Sequence, residues 1–200
     1  MRLVVQELAC ERGGRILFRG LSFALSPGEA LRISGPNGAG KTSLLRLIAG
    51  LLPAAAGSSA LEGAEGPAGE AAHFLGHHDA VKGALTVSEN LGFWRAVLGG
   101  GGAAVEAALA ALGLGAVGGL PARVLSAGQR RRLALARLLV APRPLWFLDE
   151  PAANLDAAGQ ETLMRLIRDH LAGGGIAAVA AHGAPEFPAV REIRLGGSGA

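Results

Sequence analysis

The octapeptide GPNGAGKT at residues 35–42 narrows the possible folds more than any other segment, because it matches the pattern G-x-x-x-x-G-K-[ST]. The preceding ALRIS has the composition of a short strand, and the following TSLLRLIAGLL has apolar residues at helical spacing. Glycines in such a loop let backbone N–H groups approach phosphate oxygens closely, and the helix dipole favours the negative charge. The pattern therefore predicts a phosphate-binding loop between a strand and a helix in an α/β fold.

This loop supplies the first group of candidate nucleotide-binding residues. A lysine at its end reaches the β and γ phosphates, and the next hydroxyl binds Mg²⁺, so these roles fall to Lys41 and Thr42. Only two lysines occur in this glycine-rich chain, which makes a chance match a poor explanation. The candidate residues are Gly35, Pro36, Asn37, Gly38, Ala39, Gly40, Lys41, Thr42 and Ser43.

A second pair of candidate residues follows the apolar run in RPLWFLDEP, residues 143–151. A buried parallel strand that ends in two carboxylates places them at the edge of the sheet where open α/β folds bind ligands. Asp149 is predicted to hold Mg²⁺, and Glu150 to orient and polarise the attacking water. Taken alone, this pattern also fits a strand end that meets solvent, and the phosphate loop upstream favours the catalytic interpretation.

Composition excludes several other classes of protein. A single cysteine, Cys10, rules out an internal disulfide, and the charged residues of MRLVVQELACERGG leave too short an apolar run for a signal peptide. The most apolar stretch is interrupted by glycines and a proline, so it falls short of a membrane span. Aromatic residues make up 4% of the chain and tyrosine is absent, which argues against a stacking platform for nucleic acid. We expect a cytoplasmic protein.

Three of the five histidines lie in AAHFLGHHDAVK, residues 71–82. On a strand His73 and His77 would share a face, and Asp79 could add an oxygen ligand, so a zinc site is one interpretation. No cysteine is nearby, and the alternative is a loop that serves another site.

The segment LSAGQRRRLALARLLVAPRPLWFLDEPAANLD, residues 125–156, resembles the ATP-binding cassette (ABC) ATPases. It contains a signature sequence LSAGQ, the Asp-Glu strand and a loop that ends in Asn154-Leu155-Asp156, and GIAAVAAH ends in His182, which resembles the switch histidine of the family. The motifs follow the family order from residue 35 to residue 182. The resemblance implies a P-loop NTPase with a RecA-like core, an antiparallel β edge layer and a helical subdomain.

The resemblance also implies ATP and Mg²⁺ as cofactors and a head-to-tail homodimer, in which the signature of one subunit completes the nucleotide site of the other. On this basis Ser126, Gly128, Gln129 and Asp156 are expected to contact ATP, and His182 to brace the γ-phosphate. In the helix that follows the signature, Arg130 to Arg132 are expected to face solvent rather than to bind nucleic acid.

Two positions depart from the family pattern. His78 aligns with a glutamine that touches Mg²⁺ and the attacking water. Because Mg²⁺ prefers hard oxygen ligands, we predict that His78 acts through a water molecule and that the histidines form a coupling loop. Arg12 occupies the place of an aromatic residue that stacks on adenine. Its guanidinium could stack in the same way, or it could be a solvent-exposed turn charge.

One ABC ATPase domain is predicted over residues 1–200, with a nucleotide-binding core at about 1–78 and 138–195 and a helical subdomain at about 79–137. RLVVQELAC and LSFALSPGEALRIS are expected to form the edge layer, residues 53–71 a surface loop with weak strands, and GGGG at 99–102 a flexible turn. TVSENLGFW should open a helix with Thr86 or Ser88 as its cap and Glu89 in the first turn.

Three classes of function remain: a transport ATPase, a soluble ABC ATPase that acts on nucleic acid or ribosomes, and a small-molecule kinase. A kinase does not need the signature, and the chain is expected to have no inserted coiled coil and no second cassette. FLGHHDAVKGALTVSENLGFW is similar to the ATP-binding subunit of the cytochrome c maturation system, the CcmA family. That similarity implies membrane partners CcmB, CcmC and CcmD, the haem chaperone CcmE, and peripheral attachment to the cytoplasmic face of the bacterial inner membrane.

Overall fold

The computed structural model describes residues 1–63, 68–181 and 191–196. Its strands are β1 Arg2–Arg12, β2 Arg15–Leu25, β3 Ala30–Ser34, β4 Ala56–Glu62, β5 Ala72–Leu75, β6 Leu145–Asp149, β7 Ile176–Ala180 and β8 Arg191–Arg194. Its α-helices are α1 Lys41–Ile48, α2 Val87–Val97, α3 Val105–Ala111, α4 Ala127–Val140 and α5 Ala157–Ala172.

The chain divides into two compact units. Unit 1 comprises Met1–Gly76, Pro144–Pro151 and Leu166–Ala200, and unit 2 comprises His77–Arg143 and Ala152–Arg165. The domain boundaries given above from the sequence stay a prediction. None of the helices in the described parts of the chain combines the length and the apolar character that crossing a bilayer requires.

Unit 1 contains two sheets. Within the described residues, one sheet is antiparallel with the order β2-β1-β4, and the other has the order β5-β6-β7-β3-β8 and is parallel at each pairing. Strands β6 and β7 lie inside the parallel sheet and are buried along their full length, which explains why LWFLD and IAAVA are nearly continuous apolar runs. The predicted combination of a parallel core with an antiparallel layer is confirmed.

The predicted edge layer is wrong in one respect. LSFALSPGEALRIS was expected to lie in one layer, but β2 ends at Leu25 in the antiparallel sheet and β3 begins at Ala30 in the parallel sheet. Gly28, with φ of 83°, lies in the turn that separates the two strands. The expected weak strand in residues 53–71 is confirmed as β4, a largely exposed strand that pairs with β1.

Unit 2 contains α2, α3 and α4, which pack on one another. Helix α2 begins with the expected capping box: Thr86 Oγ1 accepts a hydrogen bond from Glu89 N at 3.1 Å, and Glu89 Oε2 accepts one from Thr86 N at 2.8 Å. The glycines between α2 and α3 were expected to form a flexible turn, but at least one of them is required by close packing. A Cβ on Gly102 would lie 2.1 Å from Leu139 O, so this position has no room for a side chain.

Candidate nucleotide-binding site

The phosphate loop connects β3 to α1, as its sequence predicts. Gly35, Gly38 and Gly40 have φ values of 135°, 79° and 99°, in the region that favours glycine. At Gly35 an added Cβ would also lie 2.3 Å from Leu195 O. Both the backbone conformation and the close approach of β8 and its following residue therefore require glycine at the start of the loop.

Lys41 is the first residue of α1 and is buried, with 7% of its surface exposed. Its Nζ donates hydrogen bonds to Gly35 O at 2.8 Å and to Pro36 O at 3.2 Å. The ammonium group is thus held against the backbone of the phosphate loop.

Thr42 and Asp149 form the contact that joins the two candidate motifs. Thr42 Oγ1 donates a hydrogen bond to Asp149 Oδ2 at 2.8 Å, although the residues are 107 positions apart. Asp149 is the last residue of β6 and only 3% exposed. A hydroxyl and a carboxylate side by side fit Mg²⁺, which takes hard oxygen ligands and is held by one or two side chains together with phosphate and water oxygens. No cluster of three or more potential metal ligands occurs in the described ranges.

Glu150 follows the end of β6 and has φ of 47°, which is unusual for a residue with a side chain. Its backbone N–H donates to Ala180 O, at the end of β7, at 2.8 Å. Strand β7 therefore fixes the backbone of Glu150, whose carboxylate is predicted to orient the attacking water. Such conformations cluster at functional sites.

The signature sequence lies in unit 2 and forms the first turn of α4. Ser126 is the N-cap residue: its Oγ accepts from Gln129 N at 3.1 Å, and Gln129 Oε1 accepts from Ser126 N at 2.9 Å. A Cβ on Gly128 would lie 2.8 Å from Asn154 O, so the glycine lets the loop after Glu150 pack against the signature helix. The exposed helix N-terminus offers backbone N–H groups to an anion.

Asp156, a predicted ATP contact, is placed at the start of α5. Its Oδ1 accepts hydrogen bonds from Gly159 N at 2.9 Å and from Arg132 Nη2. The hydrogen bond from Arg132 is the main cause that lowers the pKa of Asp156, and the bond from Gly159 adds to it. The carboxylate thus caps α5 and ties its first turn to α4.

The expectation that Arg130 to Arg132 face solvent is wrong for Arg131, which is buried, whereas Arg130 and Arg132 are partly exposed. Arg130 Nη1 donates to Leu125 O at 2.6 Å, and Arg131 is 2% exposed with its Nη1 3.0 Å from Asp79 Oδ1. A guanidinium can be buried here because a carboxylate from a distant loop accompanies it. The short-range sequence pattern of the helix gives no sign of that partner.

The zinc interpretation required His73 and His77 to lie on the same strand, and they do not. Strand β5 ends at Leu75, so His77 does not share a strand face with His73. His73 is buried on β5, whereas the rings of His77 and His78 meet edge to face with centroids 5.6 Å apart. Asp79, the suggested oxygen ligand, is bound to Arg131 instead.

Two further predicted residues can be placed only in part. Arg12 ends β1 and is exposed, which suits either stacking on a base or simple solvation. His182 lies outside the described residues. Unit 1 therefore carries the phosphate loop, Asp149 and Glu150, and unit 2 carries His78, the signature sequence and Asp156.

Comparisons with known proteins agree with these motifs. Residues 18–153 match the family model described as ABC transporter. The chain is 57% identical over 200 residues to the cytochrome c biogenesis ATP-binding export protein CcmA of Nitrobacter winogradskyi, with 99% of this chain and 100% of that protein covered. It is 56% identical to the protein of the same name from Rhodopseudomonas palustris, with 98% of each covered. A solved putative ABC transporter ATP-binding protein from Pyrococcus furiosus superposes with a TM-score of 0.84 over 98% of each chain, at 22% identity.

Proposed function

This chain belongs to the ABC transporter ATPase family and, within it, to the cytochrome c biogenesis ATP-binding export proteins, and from that premise we propose that it supplies the ATP-derived energy for a membrane complex in cytochrome c maturation. The observation that carries the proposed chemistry is the contact between Thr42 and Asp149, beside Lys41 in the phosphate loop. The contact brings the oxygen ligands of Thr42 and Asp149 together at one sheet edge, next to the loop that holds the Lys41 ammonium group.

The proposed hydrolysis assigns one task to each of these groups. Lys41 binds the β and γ phosphates, and Thr42 and Asp149 hold Mg²⁺, which when bound offsets the charge that develops on the phosphates. Glu150 orients the attacking water and polarises it. The backbone N–H groups of the phosphate loop stay fixed during the reaction, so no reorganisation is needed when charge develops.

The proposed active form is a head-to-tail dimer, as ABC ATPases form dimers. Ser126 stands at the exposed start of a 14-residue helix, where the helix dipole and free N–H groups favour an anion. We assign it to the γ-phosphate held by the partner subunit. His182 and His78 stay proposed catalytic residues on the basis of the family resemblance alone. Gln129 and Arg12 are proposed nucleotide contacts on the same basis.

The proposed partners are the membrane subunits CcmB, CcmC and CcmD, with CcmE as the haem chaperone. The 48–57% identity to relatives named for cytochrome c biogenesis supports this assignment. In this proposal the chain attaches peripherally to the cytoplasmic face of the inner membrane. Hydrolysis then drives either haem delivery to CcmE or release of the haem-loaded chaperone.

The test of the ATPase role is steady-state hydrolysis by the purified complex and three variants. We expect Glu150→Gln to bind ATP with unchanged affinity and to lose at least about 100-fold in kcat, because only the reaction step needs the carboxylate. Lys41→Ala should lose ATP binding. Arg168→Ala is the control, since it removes a positive charge at an exposed position of α5 to which no role in the site is assigned. Normal turnover by Glu150→Gln would refute the proposed chemistry.

A further inference from the structure

The hairpin that joins β1 to β2 ends in two arginines. Arg12 is the last residue of β1 and Arg15 the first of β2, and the two are direct partners across the antiparallel ladder. Gly13 and Gly14 between them have φ of 57° and 72°, as both central residues of a tight type I′ turn require. No atom of the described residues lies within 4 Å of where a Cβ on either glycine would be. The hairpin tip, residues 12–15, is therefore a short open turn flanked by two guanidinium groups.

Both arginines lie on the side of the hairpin that carries Cys10, which is 2% exposed. Cys10 and Arg12 are two positions apart on β1, so they share a face of the strand. Burial raises the pKa of Cys10, whereas a hydrogen bond from the Ser43 hydroxyl and the charge of Arg12 act in the opposite direction. This face therefore meets the start of α1. Directly opposite residues share a face, so Arg15 lies on the same side.

The residues of β2 next to the tip touch the phosphate loop itself. A Cβ on Gly40 would lie 3.2 Å from Leu17 Cβ and 3.3 Å from Phe18 Cε1. Two residues of a strand span at most about 7 Å, so the backbone of Arg15 lies no farther than that from Leu17. The hairpin, the loop and α1 all belong to unit 1. The tip is thus within reach of the sugar and base of a nucleotide whose phosphates the loop holds.

The contacts of the fold do not account for the two charges. Within residues 1–63, 68–181 and 191–196, neither Arg12 nor Arg15 forms an ion pair with an acidic side chain. Like charges directly opposite each other destabilise a sheet. Simple solvation of the two exposed side chains is the alternative. A ligand is favoured because two planar cations share one face, beside the phosphate loop, with an open glycine turn between them.

We propose that Arg12 and Arg15 together hold the base of the bound nucleotide, and that this site accepts GTP as well as ATP. A planar guanidinium stacks on either base, because every base has a π face. To tell adenine from guanine, a site must form hydrogen bonds with the edge of the base, and Gly13 and Gly14 supply no side chain for that purpose. A site built on such hydrogen bonds rejects the wrong substrate by about 10⁴-fold, whereas other contacts discriminate far less.

This inference rests on the proposed ATPase function. It adds Arg15 to the proposed nucleotide contacts and guanosine triphosphate to the proposed substrates.

A comparison of ATP with GTP tests the range of substrates. The purified membrane complex with Mg²⁺ should hydrolyse both, with kcat/KM values within about tenfold of each other. A larger preference for ATP would overturn the proposal, because it would require a group that reads the edge of adenine.

Substitutions at the hairpin tip separate stacking from charge. Arg12→Ala with Arg15→Ala should raise KM for ATP and for GTP by about tenfold or more and leave kcat within about twofold, because contacts with the base are the same before and during the reaction. Arg12→Phe keeps a flat ring and should retain most of the affinity, whereas Arg12→Lys keeps only the charge and should behave like Arg12→Ala. The matched control is Arg2→Ala, an exposed arginine at the other end of β1, which should keep the wild-type KM and kcat.

Inorganic tripolyphosphate, which has no base, distinguishes contacts with the base from contacts with the phosphates. As a competitive inhibitor of hydrolysis, it should have an inhibition constant within about twofold of the wild-type value in the double variant. A rise in this constant that parallels the rise in KM for ATP would overturn the proposal, because the arginines would then act on the phosphates.

An unchanged KM in the double variant would also overturn the proposal, because the two arginines would then be only solvated. Melting curves identify any variant that fails to fold, and the single substitutions Arg12→Ala and Arg15→Ala then carry the same test. If the wild-type complex hydrolyses neither nucleotide, the proposed function fails and this inference fails with it. If the wild type hydrolyses ATP but not GTP, the ATPase function stands and only the proposed base site is refuted.

Discussion

Substitution of Gly128, the glycine of the signature sequence, tests whether the packing of the chain requires a residue without a side chain at this position. Gly128 lies in the first turn of α4, and a Cβ there would be 2.8 Å from Asn154 O. Asn154 belongs to the loop before α5 and has φ of 62°. To regain an ordinary contact of 3.4 Å, the carbonyl of Asn154 must move about 0.6 Å.

The expected cost follows from two opposing effects. Replacing glycine by alanine in a helix stabilises by about 0.5–1 kcal/mol, whereas forcing an extra methyl group into a packed contact costs about 1–3 kcal/mol. Gly92 in α2 provides the reference, because a Cβ there meets nothing within 4 Å. Gly92 lies inside α2 and Gly128 in the first turn of α4, where the helix gain is no larger, so the difference between Gly92→Ala and Gly128→Ala is at least the cost of the contact, about 1–3 kcal/mol.

Thermal unfolding of the two variants measures this difference directly. For a domain of this size 1 kcal/mol corresponds to about 2–4 °C, so Gly92→Ala should melt above the wild type and Gly128→Ala should melt at least about 2 °C below Gly92→Ala. Gly92→Ala should also keep wild-type hydrolysis. Equal stabilisation by the two substitutions would refute the packing argument, and the signature glycine would then need another explanation.

Three further expectations concern titratable side chains. His170 stacks on Trp146 with ring centroids 3.9 Å apart, and burial lowers the pKa of His170 below the ordinary 6.5. The contribution of the neutral imidazole to stability should therefore be full above pH 6.5 and be lost as the pH falls through the lowered pKa. His170→Phe should reduce that loss in melting curves recorded at several pH values. The hydrogen bond from Arg132 lowers the pKa of Asp156 below 3.8. The ionised carboxylate should therefore make the wild type more stable than Asp156→Asn above pH 3.8, and this difference should vanish as the pH falls through the lowered pKa. His78→Gln should keep or raise hydrolysis, because an amide oxygen suits Mg²⁺ better than imidazole; complete loss, with zinc bound to the wild type, would restore the metal interpretation.

Local patterns predicted much of the site in unit 1. The glycine spacing specified the loop before α1, and the apolar run before Asp149 specified a buried strand that ends in carboxylates. The rule that parallel strands place their ends at a common edge was sufficient to bring Asp149 to Thr42 across 107 residues. These predictions succeeded because each depended on a short segment and on one general property of parallel sheets.

Contacts between distant segments were not predictable in the same way. The burial of Arg131 depends on Asp79, which is 52 residues away. A run of three arginines is normally a solvated helix face, and nothing near it in the sequence marks one member as buried. The histidine pattern misled for a related reason, since face sharing requires a strand that continues past Leu75, and β5 ends there.

Capture of the membrane partners tests the central claim most directly. Glu150→Gln should accumulate the ATP-bound dimer, so it can be purified with Mg-ATP from detergent-solubilised membranes and its companions identified by mass spectrometry. The account predicts stoichiometric recovery of CcmB, with CcmC and CcmD, and their loss in a Lys41→Ala control that cannot bind ATP. Recovery of a different permease would contradict the role in cytochrome c maturation, and recovery of ribosomal or DNA-bound proteins would contradict the transport function itself.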